Sequence, residues 1–472
     1  MTPQPKLART RAIVLAAGLG TRMKSRLPKV LHSICGRPMI DYVLDAAEAA
    51  TGARPLVVWS PPVELVRAAV AERADTARQA EPRGSGDALA AGLAGLAALD
   101  GRSASQLLVL SGDVPLVEVD LLDALLAAHL DSAAAVSLVS VVTTDPGRLG
   151  RVVRDDEGEV ERIVEARDAT EDELEIDEIN SGLYVFDGAW VRARIADLQP
   201  STVTGELYLT DLIALARADS RQVGSVQVGD DGTLAGINDR AQLAEATFAM
   251  QVRINEGHLL AGVTMLDPAT AHVDAAVVLE ADVTLEPNVI LRGSTRIGAG
   301  TVIGAGSQLF DTVVGRDCRV WASVLESSEV EDEVQIGPFA HLRPGSSIGT
   351  RAKLGNYAEV KNSRLEAGVQ QHHMSYIGDA HVGARANIGA GAITANYDGK
   401  RKLKTTIGSD AFIGVDTMLI APVDIGQGAR TGAGAVVNRD VPAGKLAVGV
   451  PARLRDPRPE PQEPPPADGP PK

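Results

Sequence analysis

Between Val273 and Val437 an apolar residue recurs at every sixth position. Val273, Leu279, Leu285, Leu291, Ile297, Ile303 and Leu309 hold one register. It slips near Gly315–Ser328 and resumes as Ile336, Leu342, Ile348, Leu354 and Val360. It slips again around His372–Val382 and returns as Val382, Ile388, Thr394, then as Ile407, Ile413, Leu419, Ile425, Thr431, Val437. Helices repeat at 3.6 residues and strands at 2, so a sustained period of six suits neither a bundle nor a sandwich. It suits a parallel β-helix, in which three short strands make one coil and the apolar residue points into the prism. Glycine often follows that residue, as at Gly298, Gly304, Gly337, Gly349, Gly355, Gly389, Gly408, Gly414, Gly426 and Gly432. These glycines are expected at corners that bend sharply and need positive φ. A structural spacer or a trimerisation stem would carry the same repeat; only its interruptions can separate those from an enzyme.

Length and charge narrow the rest. A chain of 472 residues predicts two to four domains. A formal net charge of −16 disfavours nucleic-acid and acidic-membrane partners, so an anionic substrate needs a local concentration of cations and backbone N–H groups. Cys35 and Cys318 fall in different expected domains and provide no disulfide framework or metal spacing. No apolar run is long enough to span a bilayer, and MTPQPKLART lacks a signal-peptide core. A soluble cytoplasmic protein is the expectation.

The N-terminal half opens with an apolar run, Ala12–Ala16, that reads as a buried parallel strand. It leads straight into Ala17-Gly18-Leu19-Gly20-Thr21-Arg22, and Pro28-Lys29 follows. A strand followed by a glycine turn can cradle phosphate on backbone N–H groups. The spacing is neither the dinucleotide fingerprint, since Met23 replaces a small residue, nor a Walker loop. Arg22 and Lys29 close behind the turn suit a triphosphate and a leaving pyrophosphate. Leu56–Trp59 and Gln106–Leu110 read as further strands, and Gly84-Ser85-Gly86-Asp87 as a turn entering a helix. Asp113 lies just past a strand end, where open α/β sheets bind ligands. Locally it is equally a Mg²⁺ ligand or a helix-capping residue.

Gly18-x-Gly20-Thr21-Arg22 with Pro28-Lys29 resembles the signature of sugar-nucleotide pyrophosphorylases. The resemblance implies a doubly wound, Rossmann-like domain. It implies that Leu15, Ala16, Ala17, Gly18, Gln79, Gly84 and Ser85 hold uridine. It also implies that Arg22 and Lys29 stabilise the phosphates, that Gly150, Glu165 and Asn180 contact the sugar, and that Asp113 and Asn238 hold Mg²⁺. Taken alone, Gly150, Glu165 and Asn180 are turn residues, and Asn238 is a good N-cap for a helix over Arg240–Ala249.

The coils also carry chemistry that a stem does not need. Arg343, Lys361, His372, His373, Tyr376, Asn387 and Asn396 fall at their irregular points, and Thr394–Lys400 breaks the register like an inserted loop. Coils stack about 4.8 Å apart, so residues roughly eighteen apart become neighbours. Such a cluster suits general-base chemistry on a phosphorylated substrate, with neutral imidazole as the base. The coils resemble the hexapeptide-repeat acyltransferases, left-handed β-helices that use acetyl-CoA. Both halves on one chain resemble the bifunctional enzymes that acetylate glucosamine 1-phosphate and then transfer uridylyl from UTP to N-acetylglucosamine 1-phosphate. The implied general base is His373. Arg343 and Lys361 would bind the sugar phosphate, and Tyr376 and Asn387 would orient the amine. Ala390, Asn396, Tyr397, Val415, Ala433 and Arg439 would line the acetyl-CoA groove, in a homotrimer built through the β-helix.

The expected architecture is α/β plus β. It comprises a nucleotidyltransferase domain over residues 1–238, a connecting helix over 239–260, a left-handed β-helix over 261–455 and a disordered proline-rich tail over 456–472. Val415 stands where a serine commonly contacts the coenzyme, and Gln370-Gln371-His372 precedes His373 where a lysine is more usual. Ser85 and Ser111 replace a commoner Thr and Tyr. Two alternatives stand beside this: a single-function nucleotidyltransferase with a regulatory β-helix, and a non-catalytic assembly subunit.

Overall fold

The computed structural model describes residues 10–100 and 104–456. The tail expected to be disordered lies, from residue 457 on, outside the described residues, as does the segment 1–9. Two compact units divide the chain, one ending at Met250 and the other starting at Gln251. A helix, Arg240–Leu260, runs through the division.

In the first unit the strand Thr10–Leu15 lies mid-sheet, parallel to Leu56–Trp59 on one side and Gln106–Ser111 on the other. Ala12, Ile13 and Val14 are all fully buried, so both faces of this strand are covered, and the apolar residues run without alternation. The sheet runs Val223–Gly229, Val136–Val142, Glu178–Asp187, Gln106–Ser111, Thr10–Leu15, Leu56–Trp59, Asp75–Arg78. Glu178–Asp187 is antiparallel to both its neighbours. The hairpin of Arg151–Arg154 and Val160–Val164 branches from it. The chain winds outward from Thr10–Leu15 in one direction, then returns to its other side at Gln106–Ser111. That reversal opens a crevice at the carboxyl ends of these two strands.

In the second unit successive short strands are dealt in rotation to three parallel sheets. Val273 pairs with Leu291, Leu279 with Ile297 and Leu285 with Ile303, one partner per coil on each face. The residues of the six-period are buried in one continuous core. Near Gly315 a coil is shorter by one residue, and Ile297 pairs with Val314. Around His372–Val382 a coil is again shorter by one residue, with Leu354 paired to Gln371 and Leu365 to Val382. Farther on, Ile388 pairs with Ile413, so that coil carries an insertion, which includes 397–404.

The glycines after the apolar residues correct one expectation. Of the ten, only Gly337 has positive φ. Their requirement is space: a Cβ on Gly349 would lie 2.6 Å from the Ala367 nitrogen of the next coil, and one on Gly298 2.7 Å from the Gly315 carbonyl carbon. The left-handed residue comes two positions later, where Asp282, Asn288, Asp317, Asp410 and Asp416 have φ between 53° and 64°. Asn and Asp tolerate that conformation better than other non-glycine residues.

Gly349→Ala is therefore expected to lower the melting temperature by several degrees. Gly257→Ala, in a helix with nothing within 4 Å of the added Cβ, is expected to raise stability by about 1 kcal/mol. Thermal unfolding of the two variants checks both signs.

Candidate functional site

The crevice in the first unit starts from a pinned turn. The Ala16 amide donates to the Val58 carbonyl (2.9 Å), Ser60 Oγ to the Ala17 carbonyl (2.7 Å), and the Gly112 amide to the Leu15 carbonyl (2.9 Å). Gly20 has φ 57°, and a Cβ there would lie 2.7 Å from Lys29 Cβ. Glycine at this position thus admits the Lys29 stem, while Gly18 faces open space. Across the crevice, the Leu207 amide donates to the Arg83 carbonyl (2.8 Å) and the Gly86 amide to the Leu207 carbonyl (2.9 Å). Gln79 Nε2 donates to the Gly84 carbonyl (3.2 Å) and Asp87 Oδ2 (2.8 Å), and Ser85 Oγ accepts from the Leu209 amide (3.0 Å).

Two cavities meet here. One, of about 490 Å³, is lined by Leu15, Ala16, Ala17, Gly18, Arg22, Lys29, Gln79, Gly84, Ser85, Asp113 and Asn238 among others. The second, of about 370 Å³, is lined by Gly150, Glu165, Asn180, Asp113 and Asn238 among others. Ser111, Asp113 and Asn238 belong to both walls. Every nucleotide- and sugar-binding residue expected in this half borders one cavity or the other. Burial holds the Glu165 carboxyl above its ordinary range, and a 3.2 Å hydrogen bond from Thr210 opposes this only in part. Asn180 Oδ1 accepts from Tyr184 Oη (2.8 Å) and from the Gly182 amide (3.1 Å), which fixes its amide plane.

The shared wall is charged. Lys29 Nζ is in ion-pair contact with Asp113 and 3.2 Å from Asn238 Oδ1. Arg22 donates to Asn238 Oδ1 (2.8 Å), and Ser111 Oγ to Asp113 Oδ1 (2.6 Å). Neither Asp113 nor Asn238 caps a helix by its side chain. The cap of Arg240–Leu260 is Asp239, whose Oδ1 accepts from the Ala241 and Gln242 amides at 3.0 Å each. A single carboxylate and a single amide oxygen, flanked by Lys29 and Arg22, fit Mg²⁺, which binds few protein oxygens and completes its shell with phosphates and water. No group of three His, Cys, Asp or Glu residues that could hold a metal unaided occurs among the described residues.

In the second unit His373 lies in the turn between Gln370–Gln371 and Ser375–Gly378, strands of two different sheets. The same corner recurs in the next three coils as Ala390, Val415 and Ala433. The Gly391 amide donates to the Met374 carbonyl (2.7 Å), Asp416 to Ala390 (2.7 Å) and Gly434 to Val415 (2.8 Å). His373 therefore heads a column along one edge of the prism. His372 Nε2 lies 2.8 Å from Gln370 Oε1. Burial lowers the His372 pKa, with His373 and Lys353 adding to the effect.

On one sheet beside that edge, Arg343 bonds through its backbone to Val360 and forms an ion pair with Glu359 (3.1 Å). Glu359 pairs in register with Tyr376, and Lys361 with Gly378. Asp379 accepts from Asn362 Nδ2 (2.6 Å) and Asn396 Nδ2 (2.5 Å), and the Asn396 amide also lies 3.4 Å from Tyr376 Oη. Asn387 is on the neighbouring sheet, paired with Gln370 and Phe412. Asn387 and Tyr376 thus flank the His373 edge from opposite sides. Tyr397 is exposed at the start of the insertion, its Oη donating to the Gly399 carbonyl (2.8 Å), and Arg439 is exposed beyond the strand Val436–Val437.

Residues 12–169 match the family model of the MobA-like NTP transferase domain. The chain is 41% identical to the bifunctional protein GlmU of Mycobacterium bovis (strain BCG / Pasteur 1173P2), over 93% of its own length and 90% of the relative's. It is 42% identical to that of Streptococcus equi subsp. zooepidemicus, over 93% and 94%, and 42% identical to that of Pelobacter propionicus, over 93% and 95%. The chain belongs to the GlmU family. The match runs through both units, so neither half is an addition peculiar to this chain.

Two further residues of this GlmU-family chain were not singled out from sequence. Arg167 borders the larger cavity. Lys402 lies against Lys361, whose hydrogen-bond contact and like charge lower the Lys402 pKa. Lys402 sits in the insertion, outside the six-residue period; the signal was the basic run Lys400-Arg401-Lys402. Two facing ammonium groups favour an anion between them. Lys402→Ala is expected to raise the KM for a sugar phosphate in acetyl transfer roughly tenfold, with melting temperature and uridylyl transfer unchanged. Steady-state kinetics of both activities check it.

Proposed function

We propose that this chain catalyses two consecutive reactions that make UDP-N-acetylglucosamine, a precursor for cell-wall peptidoglycan. The observation that carries this is one chain of the GlmU family, covered nearly end to end, with a polar crevice in the first unit and a hydrogen-bonded polar cluster on the coils of the second. In the second unit the amine of glucosamine 1-phosphate attacks the thioester carbonyl of acetyl-CoA. His373 accepts the amine proton, the carbon–sulfur bond breaks, and the imidazolium returns that proton to the departing sulfur, so that coenzyme A leaves as the thiol. Arg343, Lys361 and Lys402 hold the phosphate; Tyr376 and Asn387 orient the sugar. Ala390, Val415 and Ala433 on the His373 edge, with Asn396, Tyr397 and Arg439, serve the coenzyme.

In the first unit a phosphate oxygen of N-acetylglucosamine 1-phosphate attacks the α-phosphorus of UTP, and pyrophosphate leaves. Leu15–Gly18, Gln79, Gly84 and Ser85 take the uridine, and Gly150, Glu165 and Asn180 the sugar. Arg22 and Lys29 stabilise charge as it moves toward the leaving group. Asp113 and Asn238 would hold Mg²⁺, which when bound supplies Lewis-acid polarisation of the phosphates.

Three β-helices assemble as a trimer, so that the His373 edge of one chain faces a neighbour. No helix among the described residues is long and apolar enough to cross a membrane, and we place the enzyme in the cytoplasm. A single-function nucleotidyltransferase, or an inactive subunit, would not need the Lys361–Lys402–Asp379 cluster.

Thiol release from acetyl-CoA with glucosamine 1-phosphate, and pyrophosphate release from UTP with N-acetylglucosamine 1-phosphate, test both halves. His373→Ala is expected to lower the first by a hundredfold or more and leave the second intact; Asp113→Ala is expected to do the reverse. Chelation with EDTA is expected to stop only pyrophosphate release. Sedimentation equilibrium is expected to return three chains.

A further inference from the structure

Three buried inward positions of the β-helix do not hold an apolar residue where their columns predict one: Thr394 and Thr431, whose hydroxyls accept from the Gly378 and Gly414 amides, and Gln371. On the sheet of Gln371 the inward residues are Leu285, Ile303, Val320, Ile336, Leu354, then Gln371, then Ile388, Ile413 and Thr431. Gln371 is fully buried among them, in the coil that carries His373. Its Nε2 donates to Ser375 Oγ (2.9 Å), and Ser375 Oγ donates to the His373 carbonyl (3.0 Å). Its Oε1 is buried and, among the described residues, has no hydrogen-bond partner. A buried carbonyl left unpartnered destabilises a core, so this side chain is retained against the demands of packing.

The neighbouring coils show what it does. In three of them the corresponding corner is closed by a backbone turn: Ala358 N–H to Gly355 carbonyl (3.4 Å), Ala392 to Gly389 (3.2 Å), Ala435 to Gly432 (3.2 Å); in the coil of Val415 the Thr417 hydroxyl closes it, donating to the Gly414 carbonyl (2.8 Å). Among the described residues the equivalent bond, Ser375 N–H to His372 carbonyl, is not made. The side-chain chain Gln371–Ser375–His373 crosses under the turn in its place.

We propose that Gln371, through Ser375, is a positioning residue for acetyl transfer: a cross-brace inside the prism that sets the backbone of His373 and so the direction of its imidazole. This rests on His373 being the general base. The imidazole hangs on a corner whose own turn bond is missing, and a small backbone rotation there swings the ring away from the amine. Displacements of an ångström are worth up to about a hundredfold in rate.

The experiment uses the full-length protein with Gln371→Leu, Ser375→Ala, the double variant, and His373→Ala as control. Gln371→Leu is expected to lower kcat for acetyl transfer roughly tenfold at unchanged KM for both substrates. Its melting temperature should be unchanged or higher, because an unpartnered polar group leaves the core. Uridylyl transfer should be unaffected. Ser375→Ala should lower kcat similarly, and the double variant should be no worse than either single one, because all three break the same link. Wild-type kcat in Gln371→Leu overturns the proposal. So does a loss that tracks a fallen melting temperature, or one that appears in KM, since that marks ordinary core damage. If Gln371→Leu does not fold, Ser375→Ala decides by the same criteria. If His373→Ala keeps acetyl transfer, the base assignment itself fails. If His373→Ala is inactive and Gln371→Leu is not impaired, only the positioning role fails.

Discussion

The second unit depends on one distance, the spacing of about 4.8 Å at which hydrogen-bonded strands must lie. Every coil rests on the next through its backbone, so at a glycine corner such as Gly349 an added Cβ meets the following coil. The same constraint turns sequence separation into position. Residues a whole coil apart stand above one another, and His373, Ala390, Val415 and Ala433 form a line although the chain between them is irregular. An edge built this way inherits the stiffness of a sheet. It can still be adjusted residue by residue, because each coil contributes one side chain.

The first unit is organised by topology rather than by repetition. Its crevice exists because the chain leaves the Thr10–Leu15 strand in one direction and comes back on the other side. The contents of the crevice are then settled by small local choices. Asp239 caps the helix, and this leaves Asn238 to the cavities. Gly20 makes room for the Lys29 stem, which carries an ammonium between Asp113 and Asn238. A strongly anionic chain thereby places two cations, Arg22 and Lys29, in one cavity, an arrangement suited to an anionic ligand.

Much of this was legible in the sequence, for identifiable reasons. A period of six is a direct imprint of coil geometry, and an unbroken apolar strand running into a glycine turn is a direct imprint of a buried parallel strand. What was misread has equally definite causes. The glycines were assigned to bending, whereas their role is clearance between coils; one-dimensional spacing does not distinguish the two. Asn238 and Asp239 are both good caps, and only the fold decides between adjacent candidates. Gly150, Glu165 and Asn180 come from three separate segments around a branched sheet, so no local pattern unites them, and they entered only through family resemblance. Lys402 was passed over because the insertion that carries it lies outside the period. Gln371 was hidden because the register shortens by one residue on either side of it, from Val360 to Leu365 and from Ile377 to Val382, and its bonding to Ser375 needed coordinates.

Ser111, Asp113 and Asn238 form a party wall between the two cavities of the first unit, proposed above to take the nucleotide and the sugar. A compound that joins a uridine mimic to a sugar mimic through a short anionic bridge would occupy both at once. The second contact would then form at high effective concentration instead of being recruited from solution. Inhibitor design against this half can start from two weak fragments and the length of the bridge between them.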